Sequence, residues 1–135
     1  MLRYVLPLIL IAVFANSAFA GTGYQVTAKD GDEEVTYMVK FGGGMMFDQY
    51  TAFDPATEEF VYLTWKTRPM NDEKPEAPPK PVCSIWDHKT GKKIKLYQFP
   101  GVEHPLPVIP SMEAMKVCPK TGDKNFKSQP LLAYD

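Results

Sequence analysis

Few residues of the chain could carry chemistry: two cysteines, two histidines and seven methionines. Cys83 and Cys118 are not in the Cys-x-x-Cys spacing of redox-active pairs, and neither stands next to a histidine. An isolated cysteine pair in an oxidising compartment usually forms a disulfide. We therefore predict a structural Cys83–Cys118 disulfide, with a redox-active pair as the alternative.

A metal site would have few ligands to draw on. His88 and His104 form no His-x-His or His-x-x-x-His pair, and a disulfide would remove both thiolates from a tetrahedral zinc site. Copper(I) accepts thioether ligands, although methionines more often fill gaps in a core. We predict no cofactor and no metal site, and keep a copper carrier with Met and His ligands as an alternative. The thioethers available to it are Met45, Met46, Met112 and Met115.

Sequence signatures of enzymes are also lacking. There is no Gly-x-Ser-x-Gly nucleophile motif, and no glycine-rich phosphate loop leads into a helix. The acidic stretch "DGDEE" at 30–34 has glycine at its second position, whereas an EF-hand calcium loop needs it at the sixth. We predict a non-catalytic protein, with a small secreted enzyme as the alternative.

One short pattern occurs twice, in "FDPATEEFVYL" and "WDHKTGKKIKL". In both, an aromatic residue precedes an aspartate, Asp54 or Asp87, and a threonine follows three positions later. An aspartate side chain accepts a hydrogen bond from the backbone N–H two residues on, and glycine supplies a positive φ. The repeat predicts two hairpin loops of four or five residues, with a structural rather than a catalytic role for the aspartates.

The first twenty residues differ from the rest of the chain. Arg3 precedes an apolar run, and the stretch closes on Ala18-Phe19-Ala20. This order is typical of a secretory signal peptide, and a membrane anchor is the alternative reading. We predict a signal peptide at 1–20, a periplasmic or secreted protein, and no membrane span after signal removal.

The charge balance restricts the class of partner. The chain carries a formal net charge of −1, and we expect no basic face on the folded protein. Binding to a phosphate backbone leaves a basic patch or stripe in the sequence. Nucleic acid and acidic membranes are therefore not expected partners.

Alternating apolar and polar residues predict strands along most of residues 21–135. The Asp-Gly turn at 30–31 is typical of a hairpin, and the five prolines in the segment 68–81 predict an exposed, extended stretch. Ser111 could cap one short helix. We expect a single all-β domain, a small antiparallel sandwich or partly open barrel of six to eight short strands. Its predicted core is Val35, Tyr37, Val39, Val61, Leu63, Trp65, Ile85, Ile94 and Leu96.

The expected contact surface is the proline-rich loop from Phe99 to Lys116, held by the predicted disulfide, together with the segment 68–81. A rigid loop loses less entropy when it binds, which favours affinity. Locally, "VIPSMEAMKVCP" resembles the substrate-mimicking loop of the ecotin family of protease inhibitors, where a methionine precedes a disulfide-bonded Cys-Pro. We predict an exported protein-binding module, an accessory subunit or an inhibitor, whose partner is another exported or envelope protein. The predicted contact residues are Val108, Ile109, Met112 and Met115.

Overall fold

The computed structural model describes three parts of the chain, residues 21–44, 46–67 and 76–134. The predicted signal peptide, Met45 and most of the proline-rich segment lie outside them. The end of that segment, residues 76–81, is irregular and largely exposed.

In the described residues, eight strands form two antiparallel sheets, as the sequence predicts for an all-β domain. One sheet has three strands in the order β2-β1-β8, and the other has five in the order β4-β3-β7-β6-β5. The strands are β1 Gly21–Asp30, β2 Glu33–Phe41, β3 Phe47–Asp54, β4 Glu59–Lys66, β5 Cys83–Asp87, β6 Lys92–Tyr97, β7 Leu106–Ile109 and β8 Lys127–Tyr134.

The three-stranded sheet buries the apolar positions of β1 and β2. The two strands are joined by the two-residue turn at 31–32, which keeps Val26 and Val39 on the buried side. These two valines pack with Phe41 and Met115 in a first buried cluster. The alternation seen in β2 is therefore that of a strand with one buried face.

The five-stranded sheet has its own core. Ala52 of β3, Leu106 of β7 and Phe99 form a second buried cluster, with Tyr50 and Tyr97 stacked at its margin. Phe99 belongs to the loop before β7 and is 1% exposed. The loop is folded onto the sheet, so this proline-rich stretch contributes to the core.

The end of β2 joins the two sheets. Its residue Lys40 accepts a hydrogen bond from the Thr51 hydroxyl at 2.5 Å and donates its N–H to the Tyr62 hydroxyl at 3.3 Å. Close by, Tyr37 stacks on Phe60 of β4 with ring centroids 5.5 Å apart. Because Thr51 is fully buried, its bond to the Lys40 carbonyl satisfies a hydroxyl that water does not reach.

The predicted helix after Ser111 is not formed. The Ser111 hydroxyl does accept a hydrogen bond from the N–H of Ala114, and the N–H of Met115 bonds to the carbonyl of Met112. These bonds close a single turn, which is too short to nucleate a helix. No helix that could cross a membrane occurs in the described part of the chain.

The predicted disulfide is also absent, because both cysteines are free. Cys83 begins β5, an outer strand of the five-stranded sheet, and is exposed. Cys118 is buried against Tyr37 of the three-stranded sheet. Their number and spacing in the sequence suggested a bond, but Cys83 lies in the five-stranded sheet and Cys118 packs against the three-stranded one.

Candidate functional site

The four residues predicted to contact a partner lie in or against the core. Met115 is 6% exposed and belongs to the first buried cluster, although it also lines a groove together with Met112. Ile109 and Met112 pack against that cluster, and Val108 packs against the second. Their apolar character is therefore largely explained by the fold, and contact of all four residues with a partner stays a prediction.

The residues considered for metal binding do not converge. His88 lies in the turn between β5 and β6, His104 lies in the loop before β7, and both are exposed. Met112 and Met115 pack with aromatic and aliphatic side chains. Among the described residues, no group of three or more His, Cys, Asp or Glu side chains could hold a metal ion.

Cys118 has an unusual environment. Its Sγ lies 3.0 Å from the Tyr37 hydroxyl. Burial raises the pKa of the Cys118 thiol, but hydrogen bonds from the hydroxyls of Thr121 and Tyr37 and from nearby backbone N–H groups outweigh burial and lower it. Burial, followed by the bond to Cys118, raises the pKa of Tyr37. The arrangement stabilises a thiolate, but a side chain that is 0% exposed cannot react with a substrate at the surface.

The hairpin of β5 and β6 is the most exposed apolar feature of the fold. The two strands pair from Cys83 with Leu96 to Asp87 with Lys92. In the turn between them, the Asp87 carboxylate accepts hydrogen bonds from the Lys89 N–H at 3.0 Å and the Thr90 hydroxyl at 2.7 Å. The bond from Thr90, and then that from Lys89, lowers the pKa of Asp87. The local chain therefore uses this carboxylate to shape its own turn.

Three apolar side chains on this hairpin are open to solvent. Val82, Ile85 and Trp86 are 59%, 50% and 58% exposed, more than any other exposed large hydrophobic side chain in the described residues. They lie within five consecutive positions, although such residues are scattered singly on most surfaces. The cause is the position of β5, which is hydrogen-bonded to β6 alone among the described strands.

The hairpin is also strongly basic. Between residues 80 and 97 the chain has five lysines and one acidic residue, Asp87, and all five lysines are exposed. These lysines are divided between the two faces of the hairpin and its ends, so the absence of a basic face stays a prediction. The lysines are Lys80, Lys89, Lys92, Lys93 and Lys95.

The two faces of the hairpin differ in character. Residues directly opposite each other on paired strands share a face. Ile85 is opposite Ile94, which gives the apolar Ile85 face. On the other face, Trp86 is opposite Lys93 and Ser84 is opposite Lys95. We call this the Trp86 face, and it combines one indole ring with two lysines.

Trp86 and the lysines are not among the contact residues predicted from the sequence. Two signals in the sequence could identify them. Lysines outnumber acidic residues between positions 80 and 95, and a polar, an aliphatic and an aromatic residue follow one another at Ser84, Ile85 and Trp86. The missing information is that β5 is an outer strand, which the local pattern does not contain.

Other concave regions offer less chemistry. One groove of about 570 Å³ is lined by apolar Tyr24, Met112 and Phe126 together with Glu113, Lys116 and Lys124. A smaller one of about 270 Å³ adjoins Gly43, Asp48 and Pro110. Ser128 also lines the larger groove, but among the described residues its hydroxyl has no hydrogen bond to a base that could activate it.

Comparisons with protein-family models, curated proteins and solved structures found no match for this chain.

Proposed function

We propose that the chain is an exported, non-catalytic protein-binding module that contacts its partner through the β5–β6 hairpin. Export is supported by the signal-peptide character of the first twenty residues. The observation that carries the binding proposal is the exposure of Val82, Ile85 and Trp86 on a basic outer hairpin. Clustered apolar exposure with a polar rim marks interaction sites on soluble proteins.

The chemistry of the hairpin fits the way protein interfaces are built. Tryptophan is among the residues that contribute most to binding, because its large ring fills a pocket on the partner. The surrounding lysines form a charged rim, which speeds association with an acidic surface and selects against basic ones. The favoured partner is therefore an acidic protein.

A membrane is the other surface that attracts tryptophan and lysine together. The hairpin tip at residues 88–91, His-Lys-Thr-Gly, is polar and exposed, whereas Ile85 and Trp86 lie along the strand. Insertion of the tip would desolvate charged groups before any apolar side chain reached the lipid. This geometry favours a protein partner.

The role of accessory subunit fits the structure better than that of inhibitor. The inhibitor hypothesis required a disulfide-tethered loop that presents a methionine. Cys83 and Cys118 are free and Met115 is buried. We therefore propose a subunit that associates with a larger exported or envelope protein.

Native mass spectrometry of the protein isolated from its producing cells tests this function. The wild type should carry a stoichiometric protein adduct, and a variant with Ile85→Ser and Trp86→Ala should lose it. Met38→Ser is the matched control, because Met38 is 48% exposed on β2, away from the hairpin. A bare wild-type chain, or an adduct that survives the hairpin substitutions, would contradict the proposal.

A further inference from the structure

Outer strands of a sheet expose backbone N–H and C=O groups that a foreign strand can pair with, and proteins usually protect them with lysine, proline or a bulge. Four outer strands are described here: β2, β4, β5 and β8. Lys40 is in β2, Lys66 is in β4, and both Lys127 and Pro130 are in β8. The sequence of β5, Cys-Ser-Ile-Trp-Asp, contains neither lysine nor proline.

The one charge on β5 does not protect this edge either. The Asp87 carboxylate lies at the end of the strand and is bonded within its own turn. Lys92, Lys93 and Lys95 lie on β6, one strand further from the edge, and Lys80 and Lys89 lie beyond the two ends of β5. A strand approaching β5 therefore meets backbone groups first and ammonium groups beside them.

We propose that the partner adds an extended, acidic strand to the edge of β5 that no described strand occupies, a proposal that rests on the hairpin being the contact surface. Backbone hydrogen bonds to β5 supply affinity in this mode, and alternate side chains supply specificity. On the Ile85 face, the added strand places apolar side chains next to Ile85. On the Trp86 face, it places glutamate or aspartate within reach of Lys95 across Ser84, whereas the Trp86 indole stands between the added strand and Lys93.

The spacing of a sheet permits these ion pairs. Neighbouring strands are about 4.8 Å apart, so the added strand lies about 10 Å from β6. The long side chains of lysine and glutamate can meet across that gap above Ser84, whose side chain is small. The preferred partner segment therefore alternates acidic and apolar residues.

A second copy of this chain is the less favourable occupant. Pairing of β5 with β5 would place two hairpins with five lysines each side by side. Like charges opposite one another destabilise strand pairs, whereas an acidic strand neutralises the same groups. Charge complementarity thus selects a different protein.

The test uses the protein made from the full chain and short synthetic peptides that alternate glutamate and valine. The matched peptide replaces each glutamate by lysine. Two further peptides carry N-methyl groups on alternate residues, the first along one edge of the extended peptide and the second along the other edge. An N-methyl group removes a backbone N–H donor and leaves the side chains unchanged. Binding is followed by calorimetry, and backbone pairing by hydrogen exchange of the β5 amides.

The acidic peptide should bind, and the basic one should bind at least about tenfold more weakly. Methylation of one edge should abolish binding and methylation of the other should not. The β5 amides should exchange more slowly in the complex. Lys93→Glu with Lys95→Glu should weaken binding on the order of tenfold, whereas Lys116→Glu with Lys124→Glu, at exposed positions outside the hairpin, should not.

Two results would overturn strand addition and leave the proposed function standing. One is a natural partner that depends on Ile85 and Trp86 but does not slow exchange of the β5 amides. The other is equal binding of the two N-methylated peptides. Self-association in sedimentation that is lost in Ile85→Ser would instead identify a second copy as the occupant, and would overturn the acidic partner.

Discussion

Glu58 and Gly91 occupy equivalent positions in two hairpin turns, and both have a positive φ, 57° and 65°. Four residues earlier in each turn, an aspartate accepts a hydrogen bond from the N–H two positions on: Ala56 to Asp54 at 2.9 Å and Lys89 to Asp87 at 3.0 Å. The repeated pattern of the sequence is therefore one turn made twice. Only the second copy has glycine where the backbone favours it.

Glu58→Gly should stabilise the protein. A non-glycine residue in the left-handed region destabilises the folded state by about 1 kcal/mol or more. Glycine also gives the unfolded chain more conformational freedom, which offsets about 0.4–1 kcal/mol of the gain. The net gain in the free energy of unfolding should reach up to about 1 kcal/mol, measured by urea denaturation.

Gly91→Ala is the reciprocal control and should lower the free energy of unfolding by about 1 kcal/mol. No atom beyond the neighbouring residues lies within 4 Å of the added Cβ, so the loss would report backbone strain alone. Changes of the same sign in the two variants would contradict the equivalence of the turns.

Met115→Ala should lower the free energy of unfolding by about 2–4 kcal/mol, because it removes a side chain from the first buried cluster. Met38→Ala, at an exposed position of β2, should stay within about 0.5 kcal/mol of the wild type. Chemical denaturation measures both. A small effect at Met115 would mean that it is available at the surface.

Ile85→Ser and Trp86→Ala should each change the free energy of unfolding by less than about 1 kcal/mol, since both side chains are at least half exposed. Phe99→Ala, which empties a fully buried position, should cost about 3–5 kcal/mol. Thermal and urea unfolding measure the stability of the two hairpin variants and of Phe99→Ala. If the hairpin variants unfolded like Phe99→Ala, loss of partner binding in them would report misfolding.

The Cys118 thiol should make stability depend on pH. Its pKa is lowered from 9.0 in the folded protein, so its contribution is present above the pKa of the unfolded thiol and is lost as pH falls through the folded pKa. The test compares the Cys83→Ser variant with a variant that carries both Cys83→Ser and Cys118→Ser. The first should gain free energy of unfolding relative to the second as pH rises to about 9.

Tyr37 acts in the opposite direction at higher pH. Its pKa is raised from 10.0, so its contribution is complete below the pKa of the unfolded phenol and decreases as pH rises above it. Denaturation in a series of buffers measures the free energy of unfolding at each pH.

The test of Cys118 is the difference in this free energy between the two cysteine variants. If that difference shrinks between neutral pH and pH about 9, the thiol is not stabilised as a thiolate.

Local rules predicted much of the fold. The alternation in β2 identified Val39 as core, and it is fully buried. The Asp-Gly turn and the two Asp-x-x-Thr turns formed hairpins, because each depends on residues close together in sequence. The all-β class followed from these elements.

The local rules do not predict the order of strands in a sheet or which loops fold onto it. The wrong predictions have this cause. Ile85 alternates like a core residue but is half exposed, because β5 lies at the edge of its sheet. Phe99 directly precedes Pro100 and Gly101 in an apparent surface loop, yet it is 1% exposed, because the loop folds onto β3 and β7. The Cys83–Cys118 disulfide was likewise wrong, since the fold and not the spacing decides which thiols meet.

The absence of that disulfide makes the proposed surface easy to observe. Cys83 is the first residue of β5 and is exposed, whereas Cys118 is completely buried. A maleimide dye added to the native protein should therefore attach to one position only, at the margin of the hairpin. The natural sequence thus provides a fluorescent reporter of hairpin occupancy without any engineered cysteine.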